Sequence, residues 1–137
     1  AVSPGFINML SSAASALRAD GRSMSDAKQG VTLELFGEGT SLGPLNREMK
    51  QAMQQGVGTD PVEVTWTTLG EGLERLVERG VSTNVGSFVG ATTVRIHELG
   101  YADVDPTPEQ LERMKDLVRS AMEEGALGVG SSLGRPT

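Results

Sequence analysis

Glu38 stands in the stretch Gly37-Glu38-Gly39-Thr40-Ser41-Leu42-Gly43, directly after a predicted strand. A carboxylate at the C-terminal end of a strand occupies the place where barrel enzymes mount metal ligands, and its oxygens suit a hard or borderline cation. The glycines around it resemble a phosphate loop, but the spacing is G-x-G-x-x-x-G, and Pro44-Leu45-Asn46 intervenes before the next helix. A dinucleotide fingerprint opens straight into a helix whose N-terminus meets the pyrophosphate. Nucleotide binding is therefore the weaker reading, and a strand-end loop that needs flexible backbone is the stronger.

A second stretch, Phe88-Val89-Gly90-Ala91-Thr92-Thr93-Val94-Arg95-Ile96-His97, follows another predicted strand and carries the one His of the chain. A lone His is more often an ordinary packed or surface residue than a ligand or general base. Arg95 is more suggestive, because a guanidinium just beyond a strand end can grip a substrate carboxylate with two parallel hydrogen bonds. It could equally pair with Glu98 or Asp103. The third stretch, Gly128-Val129-Gly130-Ser131-Ser132, ends in hydroxyls but contains no G-x-S-x-G elbow, which argues against serine hydrolase chemistry.

The elements that must position these groups are announced by one repeated signal, a charged helix end, a Gly and an apolar run. It occurs at Gly30, Gly80 and Gly125, each suited to the helix-exit position that favours positive φ. The clearest helix runs from about Pro108 to Glu124, with Thr107 and Gln110 spaced as a capping box and Leu111, Met114, Val118, Ala121 and Met122 on one face. A second, Leu69 to Arg79, offers Leu69, Leu73, Leu76 and Val77 to a core, with Glu71 and Arg75 spaced for an i,i+4 pair. A third spans about Leu45 to Gln55 and groups Met49, Ala52 and Met53, and a short one begins at Ser23 or Ser25.

Four short apolar strands are expected at Gly5–Leu10, Val31–Phe36, Val85–Val89 and Ala126–Gly130, as in sheets covered on both faces. The stretch from Gly56 to Thr68, with Gly58, Asp60 and Pro61, reads as a loop. Strands alternating with helices imply an α/β fold with a parallel sheet, either an open doubly wound sheet or roughly half of a (β/α)8 TIM-type barrel.

The 137 residues fit a single domain, 1–137, of about four βα units. With 12 basic and 18 acidic residues the net charge is -6, and no cluster of Lys or Arg marks a nucleic-acid surface. No apolar run approaches the roughly 20 residues of a membrane span, and the absence of Cys fits a reducing compartment, so a soluble, cytoplasmic protein is expected.

The segments "SPGFINMLS", "DGRSMSDAKQGVTLELFGEGTSLGP", "NVGSFVGATTVRIHELG" and "MEEGALGVGSSL" together resemble the N-acyl-D-amino-acid deacylases, or D-aminoacylases, of the amidohydrolase superfamily, from Val2 to about Leu133. The resemblance implies a (β/α)8 barrel that uses zinc to hydrolyse the amide bond of an N-acyl-D-amino acid, a small-molecule substrate. Its first-strand motif is Pro-Gly-Phe-Ile-Asp-x-His-x-His, and this chain has Pro4-Gly5-Phe6-Ile7-Asn8-Met9-Leu10-Ser11-Ser12, with Leu10 and Ser12 in place of both histidines. The family's bridging Cys, in a Gly-Asn-Cys-Gly loop, falls at Glu38 or Gly39, which makes Glu38 the candidate metal ligand. A family Gly-His pair with Arg four residues on becomes Gly90-Ala91 with Arg95 retained, which makes Arg95 the candidate substrate contact.

The family's remaining ligands and catalytic Asp lie on later strands, which this sequence does not contain. The tail Gly134-Arg135-Pro136-Thr137 is accordingly expected to mark a truncated product or the first half of a longer enzyme present as its own chain. Alone the segment is expected to be inert. Its cut barrel should pair with itself as a homo-oligomer, or with a complementary half-barrel chain. The reading from a different class is a non-catalytic α/β interaction module that has lost the metal site.

Overall fold

A computed structural model describes residues 2–55 and 63–132. In chain order the elements are β1 (Phe6–Asn8), α1 (Ala14–Ala19), α2 (Met24–Lys28), β2 (Val31–Phe36), α3 (Arg47–Gln55), α4 (Leu69–Arg79), β3 (Asn84–Ser87), β4 (Val89–Gly90), α5 (Ala91–Leu99), α6 (Pro108–Glu123) and β5 (Val129–Gly130). Gly58, Asp60 and Pro61 of the expected loop, and the tail 133–137, lie outside the described residues.

Every strand pairing is parallel. One sheet has the order β1-β2-β3 and a second ladder joins β4 to β5. The two ladders share one stretch of chain, because only Phe88 separates β3 from β4. The Phe88 amide donates to the Phe36 carbonyl at 2.9 Å, and the next amide, of Val89, turns to Gly128 at 2.9 Å. The expected third strand is therefore bonded to β2 in its first half and to β5 in its second, so successive strands neighbour one another along the sheet.

The three helix-exit glycines behave as their position demands, with φ of +82° at Gly30, +89° at Gly80 and +99° at Gly125. Both N-terminal caps of the long helices are reciprocal. Thr107 accepts from the Gln110 amide while the Gln110 side chain takes the Thr107 amide, and Thr68 and Glu71 do the same for α4. That use of Glu71 overturns the expected Glu71–Arg75 pair; Arg75 instead bonds Glu78 at 2.6 Å.

The core joins Leu17, Phe36, Leu42, Leu45, Val64, Trp66, Leu69, Leu76, Val89, Val94, Ala121 and Ala126. Helix periodicity refines the expected faces. Val77, about 100° around α4 from Leu76, is exposed. On α6 the packed stripe is Met114, Leu117, Val118 and Ala121, which leaves Leu111 and Met122 on its exposed flank. Ala52 of α3 is exposed as well, between half-buried Met49 and Met53.

A larger correction concerns the sheet. Phe6 and Ile7 of β1 and Val129 of β5 are each more than half exposed, so the strands are not covered on both faces. Two helices were not foreseen, α1 and α5. The latter occupies the stretch that carries Arg95 and His97.

Candidate active site

The loop after β2 is fastened to the ends of the neighbouring strands by its backbone. The Gly39 amide donates to the Gly130 carbonyl at 3.3 Å, and the Gly39 carbonyl accepts from the Thr92 and Thr93 amides at 2.9 and 3.3 Å. Ser41 receives the Gly90 amide on its Oγ at 3.0 Å, and its own amide donates to Thr93 Oγ1 at 2.8 Å. These approaches leave no room for side chains. A Cβ on Gly90 would lie 2.3 Å from the Gly39 oxygen, and one on Gly130 would lie 2.4 Å from the Gly37 oxygen. The glycine-rich spacing thus serves close packing of strand ends. The first amides of α5, which a phosphate would need, are occupied by Gly39, and this counts against nucleotide binding.

Glu38 projects from this clamp, exposed, at a junction of three concavities. One, of about 420 Å³, is bounded by Leu10, Ser12, Arg18, Thr40 and Ser41. Another, of about 670 Å³, is bounded by Thr92, Arg95, Tyr101, Asp103 and Ser132. The third, of about 250 Å³, is apolar, with Met9, Leu10, Phe36, Phe88 and Val129. Side chains that follow β1, Met9 and Leu10, meet Val129 of β5 there, although these strands stand at opposite ends of the strand order.

Glu38 and Arg95, singled out by the sequence, therefore line one cavity. Arg95 is nevertheless engaged. Its Nη2 donates to the carbonyls of Ala102 and Val104 at 3.0 and 2.8 Å, pinning the loop after α5. Neither Glu98 nor Asp103 is its partner. Glu98 instead accepts from Arg113 Nε at 2.7 Å and lies 3.2 Å from His97 Nδ1. The Arg113 guanidinium, with His97 adding to it, holds the Glu98 carboxyl below its ordinary range against the opposing effect of burial. His97 thus flanks the Glu98–Arg113 ion pair between α5 and α6 and stands outside the cavity that Arg95 lines.

Two charged residues passed over in the sequence are the most buried. Glu34 of β2 has no exposure and accepts three hydroxyls, from Ser11 at 2.8 Å, Ser23 at 2.5 Å and Thr83 at 2.8 Å. A carboxylate within the apolar run Val31–Phe36 was the available signal. Arg18 on α1 is 5% exposed, and nothing in its local sequence marks it.

No protein-family model matches the chain. Its sequence is 29% identical over 132 residues to an N-acyl-D-aspartate deacylase of Alcaligenes xylosoxydans xylosoxydans, which is 96% of this chain and 26% of that protein. Among solved structures, a D-aminoacylase described by its binuclear metal centre superimposes with a TM-score of 0.81 at 24% identity, over 98% of this chain and 28% of that one. The chain resembles the D-aminoacylases. An N-acyl-D-glutamate deacylase from Bordetella bronchiseptica, complexed with zinc and a phosphonate inhibitor, follows with a TM-score of 0.68 at 21% identity, over 95% of this chain and 27% of that one. The chain spans about a quarter of the length of the D-aminoacylases and related deacylases it matches.

A D-aminoacylase-like metal centre would need several nitrogen or oxygen donors converging on one point. Leu10 and Ser12, at the positions matching the family's paired histidines, do line the 420 Å³ cavity beside Glu38, but one is a hydrocarbon and the other a neutral hydroxyl. Among the described residues no group of three or more His, Asp or Glu side chains is close enough to hold a metal ion. The donors among the described residues do not fit a zinc centre. Among the described residues, too, no helix is long and apolar enough to cross a membrane.

Proposed function

We propose that the chain is one domain forming roughly half of a (β/α)8 amidohydrolase barrel of the N-acyl-D-amino-acid deacylase type, with the cytoplasm as its compartment. In this reading it contributes substrate-facing walls and is inert by itself. The observation that carries it is the meeting of parallel strand ends around Glu38, within a fold shared with D-aminoacylase over nearly the whole chain. Catalytic groups of barrel enzymes sit at that face. Arg95 would meet the substrate carboxylate through the guanidinium edge left free by Ala102 and Val104, and Glu38 would offer a single carboxylate to zinc held mainly by the rest of the barrel. The donor set here supports no hydrolytic step by this chain alone.

The second reading, a non-catalytic α/β interaction module, is favoured specifically by Leu10, Ser12 and Ala91 at positions matching family ligands. Metal analysis with a hydrolysis assay on N-acetyl-D-amino acids separates the two. The isolated chain should hold far less than the roughly one zinc per site of a catalytic centre and show no turnover. Adding the complementary half of a deacylase barrel should restore both zinc uptake and turnover. Hydrolysis by the chain alone would overturn the proposed inertness, and a complemented barrel that takes up no zinc would favour the module.

A further inference from the structure

The apolar hollow of about 250 Å³ has no part in the reading above. Met9, Leu10, Phe36, Phe88 and Val129 form its walls, where the ends of β1, β2, the β3–β4 stretch and β5 converge. Phe36 is 4% exposed and fixed in the core, whereas Met9, Leu10 and Val129 are each more than half exposed and border solvent. Water in such a hollow meets few groups that it can bond, so its displacement by hydrocarbon is favourable.

One charged side chain lines this hollow, Glu38. Among the described residues its carboxylate has no hydrogen-bond or ion-pair partner. The two cations that share its neighbouring cavities are engaged elsewhere. Arg95 donates to the carbonyls of Ala102 and Val104, and Arg18 lies over the Trp66 ring at 5.7 Å. On the wall of the adjoining 670 Å³ cavity, Asp103 and Asp105 join Glu38 against Arg95 alone, so the charge around this mouth is negative. We infer that the hollow is a binding site for a small hydrophobic amine, with its hydrocarbon body against Phe36, Phe88 and Val129 and its ammonium on Glu38. An ammonium offers three donors to a carboxylate that has none, and at the rim it keeps part of its hydration, which limits the cost of desolvation. A carboxylate on the same hydrocarbon body would meet Glu38 with like charge. The inference stands apart from the deacylase reading, since it requires neither a metal nor a complementary half-barrel.

The test is ligand-observed saturation-transfer NMR on the full 137-residue chain, dilute enough to be monomeric by light scattering. Three probes share one ring and differ in charge: benzylammonium, benzyl alcohol and benzoate. Benzylammonium should bind saturably, with a dissociation constant on the order of millimolar for so few atoms. Benzyl alcohol should bind roughly threefold more weakly and benzoate more weakly still, the scale expected of an ion pair at an exposed carboxylate. Glu38→Gln should bring the amine down to the alcohol and leave the alcohol unchanged. Leu10→Ser, at an exposed wall position where the fold tolerates exchange, should weaken amine and alcohol alike. An amine that binds no better than the alcohol, or keeps its advantage in Glu38→Gln, would overturn the role of Glu38. No saturable binding of either probe, or affinities that Leu10→Ser leaves unchanged, would overturn the hollow as the site.

Discussion

Leu17, Leu69, Leu76 and Val89 are at most 1% exposed, whereas Ile7, Met9, Leu127 and Val129 are all more than half exposed. Both sets are apolar, and both belong to strands, their immediate flanks or the helices against them. The first set is enclosed where α1, α4 and α6 close over the chain, and the second lies along β1 and β5 and their flanks, outside the buried core. Burying one such side chain contributes about 1.5–3 kcal/mol, so the open set leaves a substantial driving force unused. What the contrast teaches is that the apolar residues of this sequence divide into a covered wall and an exposed one. Clustered exposed apolar side chains of this kind mark a surface that another chain or segment fits.

The largest expected effect sharpens the covered side. Leu76→Ala or Leu69→Ala should cost about 2–5 kcal/mol in urea-melt stability, the range for a truncated, fully buried Leu. By contrast Val129→Ala should change the stability of a dilute monomer by less than about 0.5 kcal/mol, as for a surface substitution. Equal losses at Leu76 and Val129 would erase the distinction between the two walls.

Glu34 probes a polar joint inside the covered structure, where Ser11, Ser23 and Thr83 all donate to one carboxylate. Glu34→Leu strands those hydroxyls and should cost about 1–3 kcal/mol, with Glu34→Gln recovering part of the loss in the same denaturation assay. Smaller again is a pH effect at the α5–α6 contact. Because Glu98 is held below its ordinary value near 4.5 by Arg113 first and His97 second, its contribution is present in full above that value. It is lost as pH falls through the lowered folded value, and Arg113→Gln should flatten this acid limb of thermal stability. The exposed Arg119–Asp116 pair lies at the other end of the scale, and Arg119→Ala should leave the melting temperature nearly unchanged.

Much of the covered wall was legible in the sequence. Local signals act over a few residues, so the glycine exits, the Thr107–Gln110 box and the bounds of α4 could be read directly. The missed helices show where such signals stop. Helix α1 has no side-chain cap and spans six residues, and α5 begins at Ala91 behind a backbone cap supplied by Gly39, distant in the chain and signalled by nothing in the sequence around Ala91.

The site was half legible for the same reason. Glu38 and Arg95 were visible because each follows a strand, and they do share a cavity. Their partners were not visible, since the bonds from Arg95 to Ala102 and Val104 depend on how the loop after α5 folds back. Arg18 was hidden altogether, because burial of an ordinary helix arginine is decided by Trp66, far away in sequence.

The central proposal is that the exposed apolar side chains along β1 and β5 form a face that a second copy or a complementary chain covers. Light-scattering mass across a dilution series of the 14.4 kDa chain tests it most directly. The account predicts a defined multiple of that mass at micromolar concentration, shifted toward monomer by Val129→Ser and Leu127→Ser together. A monomer that stays at 14.4 kDa through the highest concentrations, with the double substitution making no difference, would contradict it.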